Sequence, residues 1–502
     1  ISGNGGEDWR RIESFPGVPE MTYVADLTAS VHDEETVYAG FNNHKQGDFR
    51  PYLLKSVDRG ATWTSIAGDL PRGHVVWTVV EDHLDPELLF VGTEFGLFFT
   101  RDGGDHWIQL EGNMPTIAVR DLEIQRREND LVAATFGRGF VILDDYSPLR
   151  EVSDEVLASE GWLFPVKDAW MYQQSSPLGW GEKAAQGDSL FTAPNPPFGA
   201  VFTYYLAQAV ESRRELRRKR EQEQLDRDES IAYPSWDELR LEDRDVEPEV
   251  LLVVRDAANR VVRQVPGPTS AGFHRVAWDL RYPAADPINQ PAEPDPWGPP
   301  PSGPMATPGT YSVQLTLKVD GRAKALGSPK SFQTTPLGLA TLEAEDQLAV
   351  LTFQRQVGTL QRAVMGTAEL ARERARQLEL AAAAASQTPG IEDGQTEVIR
   401  ALQRRLFDIE SVLWGDRTIA RRSEPTLPGL VQRVDRAVGG FWSSSAPTET
   451  HRREYSVAVT MFTQLLASFE QFEDDFAALQ ETLDEQGAPW TPGRGLPEWQ
   501  PE

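Results

Sequence analysis

The stretch SVDRGATW at residues 56–63 decides the fold, because the chain repeats its pattern as TRDGGDHW at 100–107 and SGNGGEDW at 2–9. Each copy has a hydroxyl residue first, Asp or Asn third, Gly fifth and Trp eighth. Ser, Thr and Asx side chains bond to nearby backbone and Gly adopts positive φ, so the spacing predicts a tight turn between two strands. The Trp is expected to begin the outgoing strand and to bury its ring beneath the turn. The residues given this structural role are Ser2, Asn4, Gly6, Trp9, Ser56, Asp58, Gly60, Trp63, Thr100, Asp102, Gly104 and Trp107.

Short apolar segments recur around these turns in three successive units. The first strand of each unit is expected at 24–27 (VADL), 76–79 (VWTV) and 119–122 (VRDL), and two further strands follow it in each unit. Strands repeating at roughly 40 to 50 residues are typical of propeller blades. The third unit ends without a Trp, which indicates that its outer strand is missing. Because a propeller closes on itself, we expect upstream blades of the same chain to complete it.

The domain organisation follows from changes in composition and periodicity. Residues 1–148 are interpreted as the C-terminal blades of a larger propeller, with the true N-terminus upstream, and 149–191 as a connector. Short alternating strands over 192–336, such as 310–317, predict an immunoglobulin- or fibronectin-like β-sandwich. Apolar stripes at helical spacing over 337–487 predict a four-helix bundle, followed by a tail at 488–502. The fold class is therefore multidomain, β plus α.

Two insertions interrupt the predicted sandwich. The first, at 207–247, contains a run of basic residues interleaved with Glu and Asp, which favours a solvated helix with ion pairs over a nucleic-acid-binding helix. The second, at 283–308, has ten prolines in 26 residues and is expected to be a stiff, extended loop.

Composition excludes several classes of function. The formal net charge of −28 argues against nucleic-acid binding, which depends on a basic surface. The chain has no cysteine, and its seven histidines show no metal-ligand spacing, so no metal is expected. No phosphate-binding loop or nucleophile motif occurs, and we expect no cofactor. No apolar run is long enough to span a bilayer.

Candidate functional residues lie on or near the first strand of each unit, where a propeller faces its central channel. Glycoside hydrolysis needs two carboxyl groups about 5 to 9.5 Å apart, and the sequence alone does not identify such a pair. The shared repeat position of Asp26 and Asp121 is more typical of architecture than of catalysis. The catalytic candidates are Asp26, Asp121 and Glu94, and the binding candidates are Arg120, Arg138, Glu81 and Asp82.

The repeats, the segment PNPPFGA at 194–200, the segment VAWDLRY at 276–282 and the helical tail together resemble one family. It comprises the large bacterial BNR-repeat proteins, whose repeated turn is the Asp-box and whose propeller is sortilin-like, and its members are often labelled glycosyl hydrolases. The resemblance implies a secreted or periplasmic protein about twice this length. In the related xyloglucanases two propellers each contribute one catalytic Asp, and neither can be placed in this sequence. The Cys-rich module of the eukaryotic sorting receptors is absent, which argues against that receptor role.

Two hypotheses about function follow. The first is an extracytoplasmic binding or interaction scaffold with a glycan or peptide ligand at the propeller channel. The alternative is a glycoside hydrolase, sialidase- or xyloglucanase-like, whose catalytic carboxylates lie mostly upstream. For the chain itself, the sequence favours binding over catalysis.

Overall fold

The computed structural model describes residues 2, 5–172, 178, 184–193, 195–288, 302–337, 346–391, 393–439 and 445–497. It is a mixed β plus α structure with several antiparallel sheets. The chain divides into two compact units. One comprises Ile1–Pro165, Thr203–Val210 and Thr269–His274, and the other Val166–Phe202, Glu211–Pro268 and Arg275–Glu502.

The first unit contains three successive antiparallel sheets, in which each strand pairs with the next one along the chain. Sheet I consists of β1 (Tyr23–Ala29), β2 (Val37–Asn43), β3 (Asp48–Ser56) and β4 (Thr64–Ser65). Sheet II consists of β5 (Val76–Glu81), β6 (Leu89–Thr93), β7 (Gly96–Thr100) and β8 (Ile108–Gln109). Sheet III has three strands, β9 (Val119–Gln125), β10 (Asp130–Thr135) and β11 (Phe140–Leu143), as its missing Trp predicts. Short 3₁₀ turns lie at His44–Gln46 and Ser147–Glu151.

Apolar side chains pack between consecutive sheets. Tyr38 and Leu53 of sheet I share one buried cluster with Val79 of sheet II. Phe90 of sheet II shares another with Leu122 of sheet III. Alternating strand residues point to opposite faces, so each sheet contributes one face to each neighbour.

The repeated turns have the hydrogen bonds that their spacing predicts. In the copy at 56–63, the Ser56 hydroxyl accepts from the Gly60 amide at 2.8 Å, and the Asp58 carboxylate accepts from the Thr62 amide at 2.8 Å. The copy at 100–107 repeats both bonds, and Trp63 and Trp107 are buried. Glycine is required at the fifth position, since Gly104 has a φ of +112° and a Cβ there would lie 2.7 Å from the Cβ of Ile66.

The first copy differs from the expectation. The Gly6 amide donates to the Ser2 hydroxyl at 2.7 Å, but the Trp9 side chain is 75% exposed rather than buried. No described residue between Glu7 and Thr22 is in a strand, so the ring lacks the sheet that covers Trp63 and Trp107. Asn4, the third residue of this copy, lies outside the described residues.

After sheet III come α1 (Asp154–Ala158), β12 (Gly161–Leu163) and β13 (Ala169–Met171). The later strands are β14 (Ala200–Leu206), β15 (Glu249–Asp256), β16 (Val261–Gly267), β17 (Gly272–Trp278), β18 (Gly309–Val319), β19 (Arg322–Ala325) and β20 (Lys330–Pro336). They form a sheet of order β12-β14-β17 and a larger one of order β13-β20-β18-β15-β16, with β19 paired to β18. In the second unit, aromatic rings of the two sheets pack together, and the Trp278 and Tyr311 ring centres are 5.2 Å apart.

The charged insertion forms α2 (Arg213–Asp226) and α3 (Trp236–Asp243). Each begins at a serine, Ser212 or Ser235, that makes a reciprocal capping box with a Glu three residues later. Arg217 of α2 pairs with Glu242 of α3 at 2.6 Å. These ion pairs agree with the solvated helix that the sequence favours. Of the proline-rich loop, residues 289–301 lie outside the described residues.

The C-terminal part of the second unit is helical, with α4 (Gln347–Ser386), α5 (Asp393–Trp414), α6 (Arg417–Ala420), α7 (Leu430–Val438) and α8 (Glu449–Glu485). The four longer helices share one apolar core, in which Phe472 and Phe476 of α8 stack with ring centres 5.9 Å apart. Apolar residues spaced by three and four place this core on one face of each helix. Within the described part of the chain, no helix has both the length and the apolar character to cross a bilayer.

Candidate functional site

In each of the three sheets of the first unit, the start of the first strand and the turn after the second strand lie at the same end of the sheet. In each sheet the start of the first strand pairs with the end of the second, as in Val76 opposite Thr93 and Val119 opposite Thr135. The turns after the second strands therefore lie beside the starts of the first strands. We call the side chains that meet there the aromatic rim, which consists of His44, Trp77, Glu94, Arg120 and Phe136.

Arg120 lies at the centre of the aromatic rim. Its guanidinium carbon is 3.5 Å from the centre of the Trp77 ring and 5.1 Å from that of Phe136. Cation–π contacts of this kind contribute roughly 0.5–2 kcal/mol each and fix the plane of the guanidinium. Arg120 is exposed, and no hydrogen bond or ion pair joins its guanidinium to another described residue. Its N–H donors are therefore available to a ligand.

Three members of the aromatic rim, His44, Glu94 and Arg120, contact Trp77. Its Nε1 donates to the Glu94 carboxylate at 2.8 Å, and its ring centre is 5.4 Å from that of His44. His44 is positioned in turn by Asn42, with 2.9 Å between the His44 Nδ1 and the Asn42 Oδ1. Glu94 and Arg120 both contact Trp77 without forming an ion pair with each other, so both charges remain available.

Asp26, the first catalytic candidate, contacts sheet II. Its carboxylate accepts from the backbone amide of Val79 at 2.8 Å, and the Thr28 hydroxyl lies 3.4 Å from the same oxygen. The Thr28 hydroxyl also donates to the Val79 carbonyl at 3.0 Å. Asp26 thus joins β1 to β5 through main-chain groups, which is an architectural role.

Glu81 is buried and makes a second junction between sheets I and II. Its carboxylate accepts from the Ser30 hydroxyl at 2.8 Å, the Val31 amide at 2.7 Å and the Tyr38 hydroxyl at 2.8 Å. Burial and the hydrogen bond to Glu81 raise the pKa of Tyr38, which keeps the phenol protonated as a donor. The described contacts leave Glu81 no surface for a ligand.

Asp82 is fully buried and joins sheet II to the chain that follows sheet III. It accepts from the Tyr146 hydroxyl at 2.5 Å and from the Arg150 guanidinium at 2.7 Å. Burial opposes the charged form, but the hydrogen bonds from Arg150 and Tyr146 outweigh it and hold the pKa of Asp82 below its ordinary value. The carboxylate is therefore ionised, paired and shielded from solvent.

The remaining candidates are exposed. Asp121 accepts from the amide of its neighbour Leu122 at 3.0 Å and is otherwise open to solvent. Arg138 is exposed in the turn that also carries Phe136. Asp26 and Asp121 lie on β1 and β9, with the first strand of sheet II between them in the series of sheets, so the structure does not join them as a pair. Among the described residues, no group of three or more His, Asp or Glu side chains could hold a metal ion.

Sequence reasoning identified Arg120 and Glu94 but missed Trp77, Phe136 and His44. A signal was present in the repeat, because Trp77 and Arg120 occupy the same position in VWTV and VRDL. His44, Glu94 and Phe136 likewise follow the second strand of successive units. Equivalent positions in consecutive repeats meet at one end of the sheets, so unlike residue types at such positions indicate a site rather than a core.

No protein-family model matches this chain, and no curated protein is similar to it in sequence. Among solved structures it is similar to the GH74 xyloglucanase from Xanthomonas campestris, with 12% identity over 61% of this chain and 38% of that one, at a TM-score of 0.21. It is also similar to the GH74 enzyme from Niastella koreensis, with 11% identity over 61% of this chain and 50% of that one, at a TM-score of 0.20. A third similar structure is the extracellular domain of a putative hybrid two-component system from B. thetaiotaomicron. It has 11% identity over 60% of this chain and 30% of that one, at a TM-score of 0.17. The chain thus spans half or less of each of these proteins, and the TM-scores are too low to transfer an activity.

Proposed function

We propose that this chain supplies three Asp-box blades of a β-propeller, an immunoglobulin-like sandwich at 192–336 and a helical bundle at 337–487. We propose that the protein acts outside the cytoplasm as a binding scaffold for a glycan or peptide. The single observation that carries the binding role is Arg120, which is fixed against Trp77 while its N–H donors remain without a described partner. The secreted or periplasmic location rests on the family resemblance.

The exposure of the outermost sheet faces supports further blades. Leu27, Val79 and Leu122 occupy equivalent repeat positions, and the last two are buried against the preceding sheet. Leu27 is 62% exposed because no described sheet precedes sheet I. A groove of about 440 Å³ borders this face. Exposed apolar faces of this kind mark sites of further packing, which upstream blades of the same protein would provide.

The state of the acidic residues favours binding over hydrolysis. Hydrolysis requires one carboxyl group with a raised pKa facing a second, ionised one. Glu81 and Asp82 are buried and fully engaged, and Asp26 holds a backbone amide of the next sheet. The alternative, a glycoside hydrolase, is favoured by the accessible carboxylates of Asp121 and Glu94, and a catalytic partner for either would come from blades upstream.

The experiment that tests the binding role is a glycan and peptide array probed with the whole 502-residue chain. We expect at least one class of ligand to bind and Arg120→Ala to abolish the signal. Arg126→Ala is the matched control, because Arg126 is an exposed arginine in the turn that directly follows β9, at the end of the strand opposite to Arg120. The proposal would be contradicted if no glycan or peptide on the array binds the chain, or if the bound ligands bind the Arg120 variant equally well.

A further inference from the structure

We propose that the ligand of the aromatic rim is an oligosaccharide carrying a single uronic acid, whose carboxylate is bound by Arg120. This inference rests on the proposed binding function and names the chemistry that the site selects. A guanidinium is planar and offers parallel N–H donors that match the two oxygens of a carboxylate. Trp77 covers one face of the Arg120 guanidinium at 3.5 Å, so approach in the plane of the guanidinium remains open.

The immobilised side chain makes this arrangement selective. A free arginine loses side-chain freedom when it binds a ligand, and the contacts with Trp77 and Phe136 restrict that freedom in advance. Trp77 is itself held by its hydrogen bond to Glu94. The direction of the N–H donors is therefore set before the ligand arrives, which favours a flat carboxylate over a spherical anion.

The surroundings of Arg120 favour a sugar. Glu94 is partly exposed and bonds to Trp77 through Oε2, so its Oε1 has no described hydrogen-bond donor. A sugar hydroxyl can donate a hydrogen bond to that oxygen. A carboxylate ligand without hydroxyl groups has no donor for it and is only repelled by its negative charge. Phe136, whose ring centre is 5.1 Å from the Arg120 guanidinium carbon, is 66% exposed and offers apolar area for the C–H face of a sugar ring. Donors, an acceptor and apolar surface thus occur together.

The charge of the protein limits the number of acids on the ligand. The chain carries a net charge of −28, and this field repels polyanions. A polyuronate would experience that repulsion at every sugar, while a mostly neutral oligosaccharide experiences it only once. The ion pair with Arg120 can offset the repulsion between the protein and one ligand carboxylate. We therefore infer one uronic acid per bound oligosaccharide segment.

The test compares two oligosaccharides that differ in one group, measured by isothermal titration against the whole chain. One ends in glucuronic acid, and in the other that carboxyl is reduced to a primary alcohol. We expect the acid to bind on the order of 10-fold tighter or more, because hydrogen bonds to charged groups are the stronger ones. Arg120→Ala should remove the preference, Arg120→Lys should keep only part of it, and Arg126→Ala should keep it whole.

Circular dichroism of each variant checks that it folds, so a loss of binding is assigned to the site. Equal binding of the two oligosaccharides, with both lost in Arg120→Ala, would overturn the uronate inference and leave the binding function standing. A peptide with a free C-terminus that binds in preference to its amide, while neither oligosaccharide binds, would assign the site to peptides and also overturn it. If Arg120→Ala affects no ligand of the chain, both proposals fail.

Discussion

The carboxylate of Asp26 accepts the amide hydrogen of Val79 at 2.8 Å, so a side chain of sheet I bonds to the main chain of sheet II. A second contact with the same effect joins Tyr38 to Glu81 at 2.8 Å. In both cases an acidic side chain on a first strand satisfies a donor on a neighbouring sheet. These acids hold consecutive sheets together, and the available charge of the aromatic rim belongs to other residues.

Replacing Asp26 tests this role. Asp26→Ala leaves the Val79 amide without its acceptor and should lower the free energy of unfolding by about 1–3 kcal/mol. Asp26→Asn retains a side-chain oxygen and should cost less. Asp121→Ala is the control at the equivalent repeat position, where the exposed side chain supports a change within about 0.5 kcal/mol. Urea unfolding of the three variants provides the measurement, and equal losses at Asp26 and Asp121 would contradict the assignment.

The tryptophans of the repeated turns should differ in their contribution to stability. Trp107→Ala empties a buried site and removes the hydrogen bond from Nε1 to the Ile66 carbonyl at 3.0 Å, so we expect a loss of about 3 kcal/mol or more. Trp9→Ala removes a ring that is 75% exposed and should change little. Thermal unfolding followed by circular dichroism measures both. If the Trp107 variant is as stable as the Trp9 variant, the buried tryptophan of the repeated turn does not stabilise the fold as we expect.

Acid should weaken the same turns. Hydrogen bonds from the hydroxyl and the amide of Thr62 hold the pKa of Asp58 at about 2, below the ordinary value of 3.8. Because the folded pKa is depressed, the stabilisation is fully present above the ordinary pKa of the unfolded chain and is lost as the pH falls toward 2. Asp58→Asn cannot titrate, so the stability difference between it and the natural chain should shrink between pH 5 and pH 2.5. Unfolding midpoints at the two pH values test this, and a constant difference would refute it.

The helical region should fold alone. Residues 338–486 include the apolar core shared by the four longer helices, and helices of this length gain most of their stability from such packing. We expect a helical far-UV spectrum and a cooperative melt from these residues alone. Phe472→Ala should lower the melting temperature strongly, while Val459→Ala, at a side chain that is 37% exposed, should not. A disordered spectrum would mean that the helices depend on the preceding β region.

The sequence predicts local structure better than it predicts the site. The strands of sheets I to III follow from alternation and turn residues, and the turn at 56–63 follows from the hydrogen-bonding habits of Ser56 and Asp58. The role of Asp26 depends on where the next sheet packs, which no local pattern encodes. The burial expected for Trp9 is wrong for the same reason, since a copy of the repeated turn buries its Trp only where a sheet covers the ring.

Glycoside turnover tests the central claim most directly, namely that the acids of the first unit are architectural and its function is binding. Residues 1–502 should be assayed against β-glucans, xyloglucan and sialosides, alongside Asp26→Ala and Asp121→Ala. Our account predicts no hydrolysis by the chain, because Asp26 is engaged with the Val79 amide and the structure does not join Asp26 and Asp121 as a pair. Turnover that either substitution abolishes would contradict the account and identify that residue as catalytic.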